Sequence, residues 1–170
     1  MINMYIYLST RDTLTGLYNR RYVYNKFTKV ARHSYRKKLN TSILLLDVND
    51  FKEINDTYGH DYGDRELEFI SKQLVNSFEG KDIIARLGGD EFLIISPFSD
   101  ESLINKKVKN FNKKIKNMDW SHIDPHLSLS IGKAIYPLDG DTLKSVVAKA
   151  DSNMYELKVS HKQMKVAKYK

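Results

Sequence analysis

Two carboxylates stand side by side at Asp90-Glu91, directly after Gly88-Gly89 and directly before the apolar run Phe92-Leu93-Ile94-Ile95. Adjacent acids at the start of an apolar strand repel each other, and a cation relieves that repulsion. A divalent metal carrying a phosphate substrate is one such cation. A solvated turn with charged residues at its tip is the plainer reading of the same letters. A third acid, Asp47, ends the continuous apolar run Ser42-Ile43-Leu44-Leu45-Leu46, a place where a carboxylate meeting only water would be wasteful. In open sheets, ligands gather at strand ends. If the strand ending in Asp47 pairs with the hairpin turning at Gly88-Gly89, Asp47 and Asp90 reach one edge. Two carboxylates converging there make an oxygen-rich site suited to Mg²⁺ or Mn²⁺. The turn Val48-Asn49-Asp50 then feeds a helix N-terminus, whose free backbone N–H groups favour phosphate oxygens, and Lys52 adds a point charge in its first turn. Neither G-x-x-x-x-G-K-[ST] nor G-x-G-x-x-G occurs, so a nucleotide would be held by this other arrangement.

The elements that must position these residues follow from periodicity and punctuation. Residues 83–87 and 92–95 are short, apolar or β-branched runs around a Gly-Gly pair, a strong hairpin signal because glycine reaches positive φ without steric cost. The run at 42–46 suits a strand covered on both faces, hence central in its sheet. From Arg20 to about Lys37, Tyr22, Val23, Phe27, Val30 and Ala31 fall at helical spacing, after an irregular turn over residues 12–21 in which Asn19 is the N-cap. A short helix is expected over Phe51–Tyr58, closed by Gly59 in the left-handed conformation. A longer helix is expected to follow Gly63-Asp64, with Leu67, Ile70, Leu74 and Phe78 on one side. A lysine-rich helix spans about Glu101–Met118, a strand with one polar face covers 127–131, and a last helix runs from Thr142 to about Lys158. Pro97, Pro125 and Pro137 all fall at element ends. The expected fold is α+β, with helices packed over a mostly antiparallel central sheet.

Composition narrows the function classes. A chain of 170 residues with 41% apolar and 29% charged side chains is one folded domain with a real core. Zero cysteines exclude disulfides, thiolate metal sites and cysteine nucleophiles, and fit a reducing compartment, so a cytoplasmic location is expected, either alone or as part of a larger, membrane-anchored protein. No apolar run approaches the roughly 18 residues of a membrane helix. The net charge of +7 is concentrated at Lys106–Lys116 and in the tail beyond Lys158. Lysine without interleaved aromatics or arginine reads as a solvated face, so neither nucleic acid nor membrane contact is expected of this segment.

Gly88-Gly89-Asp90-Glu91-Phe92 spells the signature of the GGDEF family, the diguanylate cyclases. It comes with Asp12-x-Leu14-Thr15-Gly16-Leu17-x-Asn19-Arg20-Arg21 at the start and Phe51-Lys52-x-Ile54-Asn55-Asp56-x-x-Gly59-His60-x-x-Gly63-Asp64 in the middle. Ser130-Ile131-Gly132 and Ala150-Asp151-x-x-Met154-Tyr155-x-x-Lys158 resemble the family's last strand and last helix. The resemblance spans residues 11–163, leaving 1–10 as the stub of an upstream linker and 164–170 as a basic tail. It implies a fold like the palm domain of nucleotidyl cyclases and polymerases. It also implies two metal ions (Mg²⁺ or Mn²⁺) held by Asp47, the Val48 carbonyl and Asp90, with Glu91 at the fourth signature position. The main chain of Asp50, Phe51 and Lys52 would cradle the β- and γ-phosphates of GTP, with Lys52 and Lys158 offsetting their charge. Asn55 and Asp64 would read guanine, whose N1–H and N2–H₂ donors suit a carboxylate. Taken without the motif, Asp64 reads as the N-cap of the helix after it.

The implied reaction is attack by the 3′-hydroxyl of one GTP on the α-phosphate of another, repeated to give cyclic di-GMP and two pyrophosphates. Asp47, Asp90 and Glu91 would carry it, Glu91 contacting either the hydroxyl or the second metal. One domain offers one nucleotide site, so two copies should meet face to face with twofold symmetry. Three departures from the family pattern bear on this. Asn49 stands where the family often has Asp, which would lower metal affinity somewhat. The family's inhibitory R-x-x-D becomes Glu79-Gly80-Lys81-Asp82, so product inhibition at that site is expected to be absent. Lys162 replaces a phosphate-contacting Arg, with His161 and Gln163 in place of Gly and Asn, and lysine keeps the charge without the bidentate fork. Asn49 and Lys162 support one alternative, a catalytically quiet GTP-binding module that regulates a partner, against which the intact Asp47, Asp90 and Glu91 count; a second alternative, an enzyme of altered base choice, is opposed by Asp64. Family members usually carry an upstream sensor or coiled coil, so this segment reads as a fragment of such a protein or as a domain that dimerises otherwise.

Overall fold

The computed structural model describes residues 9–78, 80–117 and 127–168, with 160–168 described by backbone alone. In chain order the elements are β1 (Tyr18–Asn19), α1 (Arg20–Lys37), β2 (Thr41–Val48), α2 (Phe51–Tyr58), α3 (His60–Ser77), β3 (Ile83–Gly88), β4 (Glu91–Pro97), α4 (Glu101–Lys116), β5 (Leu129–Tyr136) and α5 (Leu143–Lys168). The sheet order is β1-β3-β4-β2-β5. Among the described residues β1 pairs with β3 in parallel, and the other named pairings are antiparallel.

The continuous apolar run of β2 is explained by its place between β4 and β5, with helices over both faces. Ile43 and Leu45 pack with Val23, Phe27 and Val30 of α1 and Val146, Ala150 and Met154 of α5. Leu44, Leu46 and Val48 pack on the other face with Leu67, Ile70 and Leu74 of α3 and Ile104, Phe111 and Ile115 of α4. Burying each such side chain contributes about 1.5–3 kcal/mol, so strand β2 is a firm support for the site. Gly132 on β5 lets α5 lie directly on the sheet, because a Cβ there would sit 1.9 Å from the Ala150 carbonyl oxygen.

Several expectations need correction. Residues 18–19 form the short strand β1, not a turn, while Asn19 does cap α1 by accepting the Tyr22 N–H. Gly59 has positive φ but an extended ψ of 161°, so it joins two helices without closing the first in the left-handed conformation. Helix α3 starts at His60, which places Gly63 and Asp64 inside it and removes Asp64 as an N-cap. Strand β5 covers 129–136 rather than 127–131, and its expected polar face is partly buried, Ser130 being 5% exposed. Helix α5 continues to Lys168, ten residues past the expected end. Lys107 leaves the solvated lysine face to pair with Asp82 at 2.6 Å. Pro125 and the end of the lysine-rich helix at Met118 lie outside the described residues.

Candidate active site

The hairpin and β2 meet as the sequence pattern requires. In the β2–β4 register Asp47 lies opposite Glu91, and on its other side it lies opposite Ser130 of β5. The Val48 N–H donates to the Asp90 carbonyl at 3.3 Å, so the two acid-bearing segments touch through their backbones. Gly89, with φ of 56°, turns the hairpin. All three acids therefore stand at one end of the sheet, each half-buried.

Their electrostatics show mutual pressure. Burial, and then the charge of Asp47, hold the Asp90 carboxyl above the usual aspartate range, against the opposing pull of its own backbone N–H, Lys158 and Arg86. Glu91 is also raised, first by burial, with Arg20 opposing and the charges of Asp47, Asp90 and Asp151 adding to the rise. Two cations answer this. Lys158 reaches from α5 to donate to Asp47 Oδ1 at 2.5 Å. The Arg20 guanidinium lies 3.7 Å from Glu91 Oε2, a pair with 60% and 40% side-chain exposure and correspondingly small energetic weight. Among the described residues no three His, Asp or Glu side chains stand ready to enclose a metal. Asp47 faces Lys158 and Glu91 faces Arg20 instead. The residues nonetheless fit a divalent cation. The donors are all oxygen, Asp90 is held above its usual range by burial and by the neighbouring Asp47 charge, and the Lys158 ammonium already stands in for a cation on Asp47.

Beyond Val48 the chain turns sharply. Asp50 has φ of 57°, a conformation costing a non-glycine residue about 1 kcal/mol or more. The Asp50 carbonyl accepts the Ile54 N–H, which starts α2, so the backbone N–H groups from Phe51 onward lie at a helix N-terminus. Lys52 is exposed. Asn49 bonds across to the β5 segment, its Nδ2 donating to Ser128 Oγ at 2.9 Å and its Oδ1 accepting from Ser130 Oγ at 2.6 Å. On the α2–α3 side, Asn55 Oδ1 is buried without a protein hydrogen-bond partner, and a Cβ on Gly63 would lie 2.0 Å from it. Asp64 is exposed one residue further along α3. The backbone of Lys162 belongs to α5, and its side chain lies outside the described residues, as do those of His161 and Gln163.

Sequence reasoning assigned no role to Arg86, which proves to brace the hairpin. Its Nε and Nη2 donate to the Gly89 carbonyl at 2.9 and 2.8 Å, and its Nη1 donates to Asp12 Oδ1 at 3.1 Å. Asp12 also accepts the Thr15 N–H and hydroxyl at 2.9 and 2.7 Å. Burial would raise the Asp12 carboxyl, but the Thr15 and Arg86 bonds outweigh it and hold it below the usual range. Arg20 adds a bond from its Nε to the Leu87 carbonyl at 3.1 Å. The first motif thus fastens the turn that carries Asp90. The signal available was an arginine two residues ahead of the Gly-Gly pair.

Asp82, the surviving residue of the R-x-x-D position, is engaged elsewhere. Its side chain is 6% exposed, accepting from Ser96 Oγ and Lys107 Nζ at 2.6 Å each. Glu79 lies outside the described residues.

Known proteins resemble this chain in sequence and in fold. The family model "Diguanylate cyclase, GGDEF domain" matches residues 9–164. The signaling protein YkoW of Bacillus subtilis is 39% identical over 157 residues, covering 89% of this chain and 19% of YkoW. Diguanylate cyclase A of Treponema denticola is 33% identical over 159 residues, covering 89% of this chain and 42% of that protein. The chain thus spans less than half the length of either relative. The crystal structure of the GGDEF domain of YfiN from Pseudomonas aeruginosa superposes with a TM-score of 0.80 at 30% identity, covering 86% of this chain and 92% of that one. With the family model matching nearly end to end and the signature acids gathered at one sheet edge, the chain belongs to the GGDEF family of diguanylate cyclases.

Proposed function

We propose that this domain condenses two GTP molecules into cyclic di-GMP and two pyrophosphates. The observation that carries the reading is the pairing of Asp47 with Glu91 across β2 and β4, which brings the signature acids and the strand-end acid together. Family members are metal-dependent, and we assign Asp47, the Val48 carbonyl and Asp90, with Glu91, to two Mg²⁺ or Mn²⁺ ions. When bound, such ions lower the pKa of an attacking hydroxyl and neutralise charge on the leaving group.

The remaining roles fall to the chain's own groups. The backbone N–H groups of Asp50, Phe51 and Lys52 receive the β- and γ-phosphates, helped by the exposed ammonium of Lys52. We assign Lys158, now on Asp47, to offset the charge of the triphosphate, with Lys162 one helical turn further on. Asn55 supplies an acceptor that has no protein partner, and Asp64 a carboxylate, for the N–H donors of guanine. The 3′-oxygen of one GTP bonds to the α-phosphorus of the other, the bond from that phosphorus to the bridging oxygen breaks, and the hydroxyl proton is lost as pyrophosphate leaves. A second, reciprocal step closes the ring. Because each domain presents one nucleotide, the working unit is two copies face to face. An upstream sensor or coiled coil would bring them together. Engagement of Asp82 by Lys107 and Ser96 supports the absence of product inhibition at the R-x-x-D position.

Incubation with GTP, ATP and Mg²⁺ followed by product chromatography tests the reading. Cyclic di-GMP from GTP alone is expected, at a rate per molecule that falls on about a hundredfold dilution. GTP binding without product would establish the quiet regulatory module, and adenine-containing products the altered base choice.

A further inference from the structure

We infer that Asn49 is a positioning residue for nucleotide binding: its side chain clamps the turn between the Val48 carbonyl and the Asp50–Lys52 backbone against β5. The inference rests on the diguanylate cyclase reading of the site. Three bonds make the clamp. The Asn49 N–H donates to the Ser128 carbonyl at 2.9 Å, Asn49 Nδ2 donates to Ser128 Oγ at 2.9 Å, and Ser130 Oγ donates to Asn49 Oδ1 at 2.6 Å. Both ends of the amide are used, and the partners lie 79 and 81 residues away in the chain, so the contact joins two separate segments at the site.

The clamp has something to hold. On one side of Asn49 lies Val48, whose N–H is bonded to the Asp90 carbonyl. On the other lies Asp50 with φ of 57°, a conformation that persists only where its surroundings over-determine it. Without the two side-chain bonds the turn keeps only its backbone tie to Ser128 and the Val48–Leu129 pairing, so it is freer to relax at Asp50 and the N–H groups that should converge on phosphate would be held less firmly together. Ser130 explains itself in the same way. It is 5% exposed on a strand position opposite Asp47, and a buried hydroxyl needs a partner, which Asn49 supplies.

This differs from treating Asn49 as a missing negative charge near a metal. An aspartate at the position could keep the clamp, because the Ser128 hydroxyl can rotate to donate where it now accepts. Asn49→Ala and the Ser128→Ala/Ser130→Ala pair should weaken binding of a non-hydrolysable GTP analogue with Mg²⁺ by about tenfold and raise KM equally, the effect expected from losing two hydrogen bonds. Hydrogen exchange should quicken at residues 49–52 and remain unchanged at β2 and α3. Asn49→Asp should restore affinity to within about twofold, as loss of neither bond is expected. Unchanged affinity and exchange in Asn49→Ala would overturn the inference, as would an Asn49→Asp protein binding the analogue far more tightly than the parent. A parent protein that binds no GTP analogue at all would instead overturn the functional reading beneath it, and is told apart by its failure before any substitution is made.

Discussion

Replacing Arg86 by methionine tests how the hairpin is held. The side chain is 13% exposed and carries two bonds to the Gly89 carbonyl and an ion pair with Asp12, whose side chain is 21% exposed. Breaking a fully buried pair costs about 3–5 kcal/mol, and an exposed pair about 0–1 kcal/mol. Asp12 keeps its two Thr15 bonds after the substitution, so the loss should fall between these limits, at about 2–3 kcal/mol. In a chain of 170 residues each kcal/mol moves the melting temperature by about 2–4 °C, giving a fall of about 5–10 °C. The pH dependence follows from Asp12. Its folded carboxyl lies below the ordinary 3.8, so its stabilising contribution is complete above that value and is lost as pH falls through the lower folded one. Thermal unfolding of parent and variant should therefore show a constant gap near neutral pH that narrows as Asp12 protonates in acid. An unchanged melting temperature at neutral pH, or a gap that widens in acid, would refute the reasoning.

Asp90→Asn should separate stability from function. Its raised carboxyl binds a proton more tightly folded than unfolded, so it costs stability as pH rises from 3.8 through the folded value. Without metal at pH 7 the variant should melt no lower than the parent, while cyclic di-GMP formation drops on the order of 100-fold or more; a lower melting temperature without metal contradicts this. Gly63→Ala places a methyl 2.0 Å from Asn55 Oδ1, the end of a side chain that can swing aside. The KM for GTP should rise about tenfold with little change in melting temperature, one unit of binding energy being a hydrogen bond or two; an unfolded variant, or an unchanged KM, would contradict the role given to Asn55. Gly132→Ala meets backbone instead, 1.9 Å from the Ala150 carbonyl, so urea denaturation should show a loss of about 3 kcal/mol or more. A variant as stable as the parent would mean that α5 does not lie as close to β5 as described.

Much of the site was legible in the sequence because its supports are strongly patterned. The apolar run at 42–46 has one physical home, a strand covered on both faces, and the Gly-Gly pair between β-branched runs has one too. Their pairing then fixes Asp47 against Glu91. What resisted reading lacks a local signal. Strand β1 is two residues long and pairs in parallel with a segment 67 residues on, so no periodicity announces it. Gly63 looks like a helix breaker, yet it lies inside α3 because the space its Cβ would fill belongs to Asn55. Ser130 looked like one tooth of a polar face and is buried because Asn49 satisfies it. Arg86 reads as a charged strand residue until Asp12 and Gly89 are seen around it. Long-range polar contacts of this kind leave no trace in spacing.

The claim on which the account rests is that Asp47 and Asp90 jointly hold a divalent cation and, through it, a guanosine triphosphate. Titrating Mn²⁺ into the protein with a non-hydrolysable GTP analogue, and following free Mn²⁺ by electron paramagnetic resonance, measures this directly. The account predicts that the parent depletes the free signal and that Asp47→Asn and Asp90→Asn each fail to do so at the same concentrations while remaining folded. Equal Mn²⁺ depletion by the parent and both variants would contradict it.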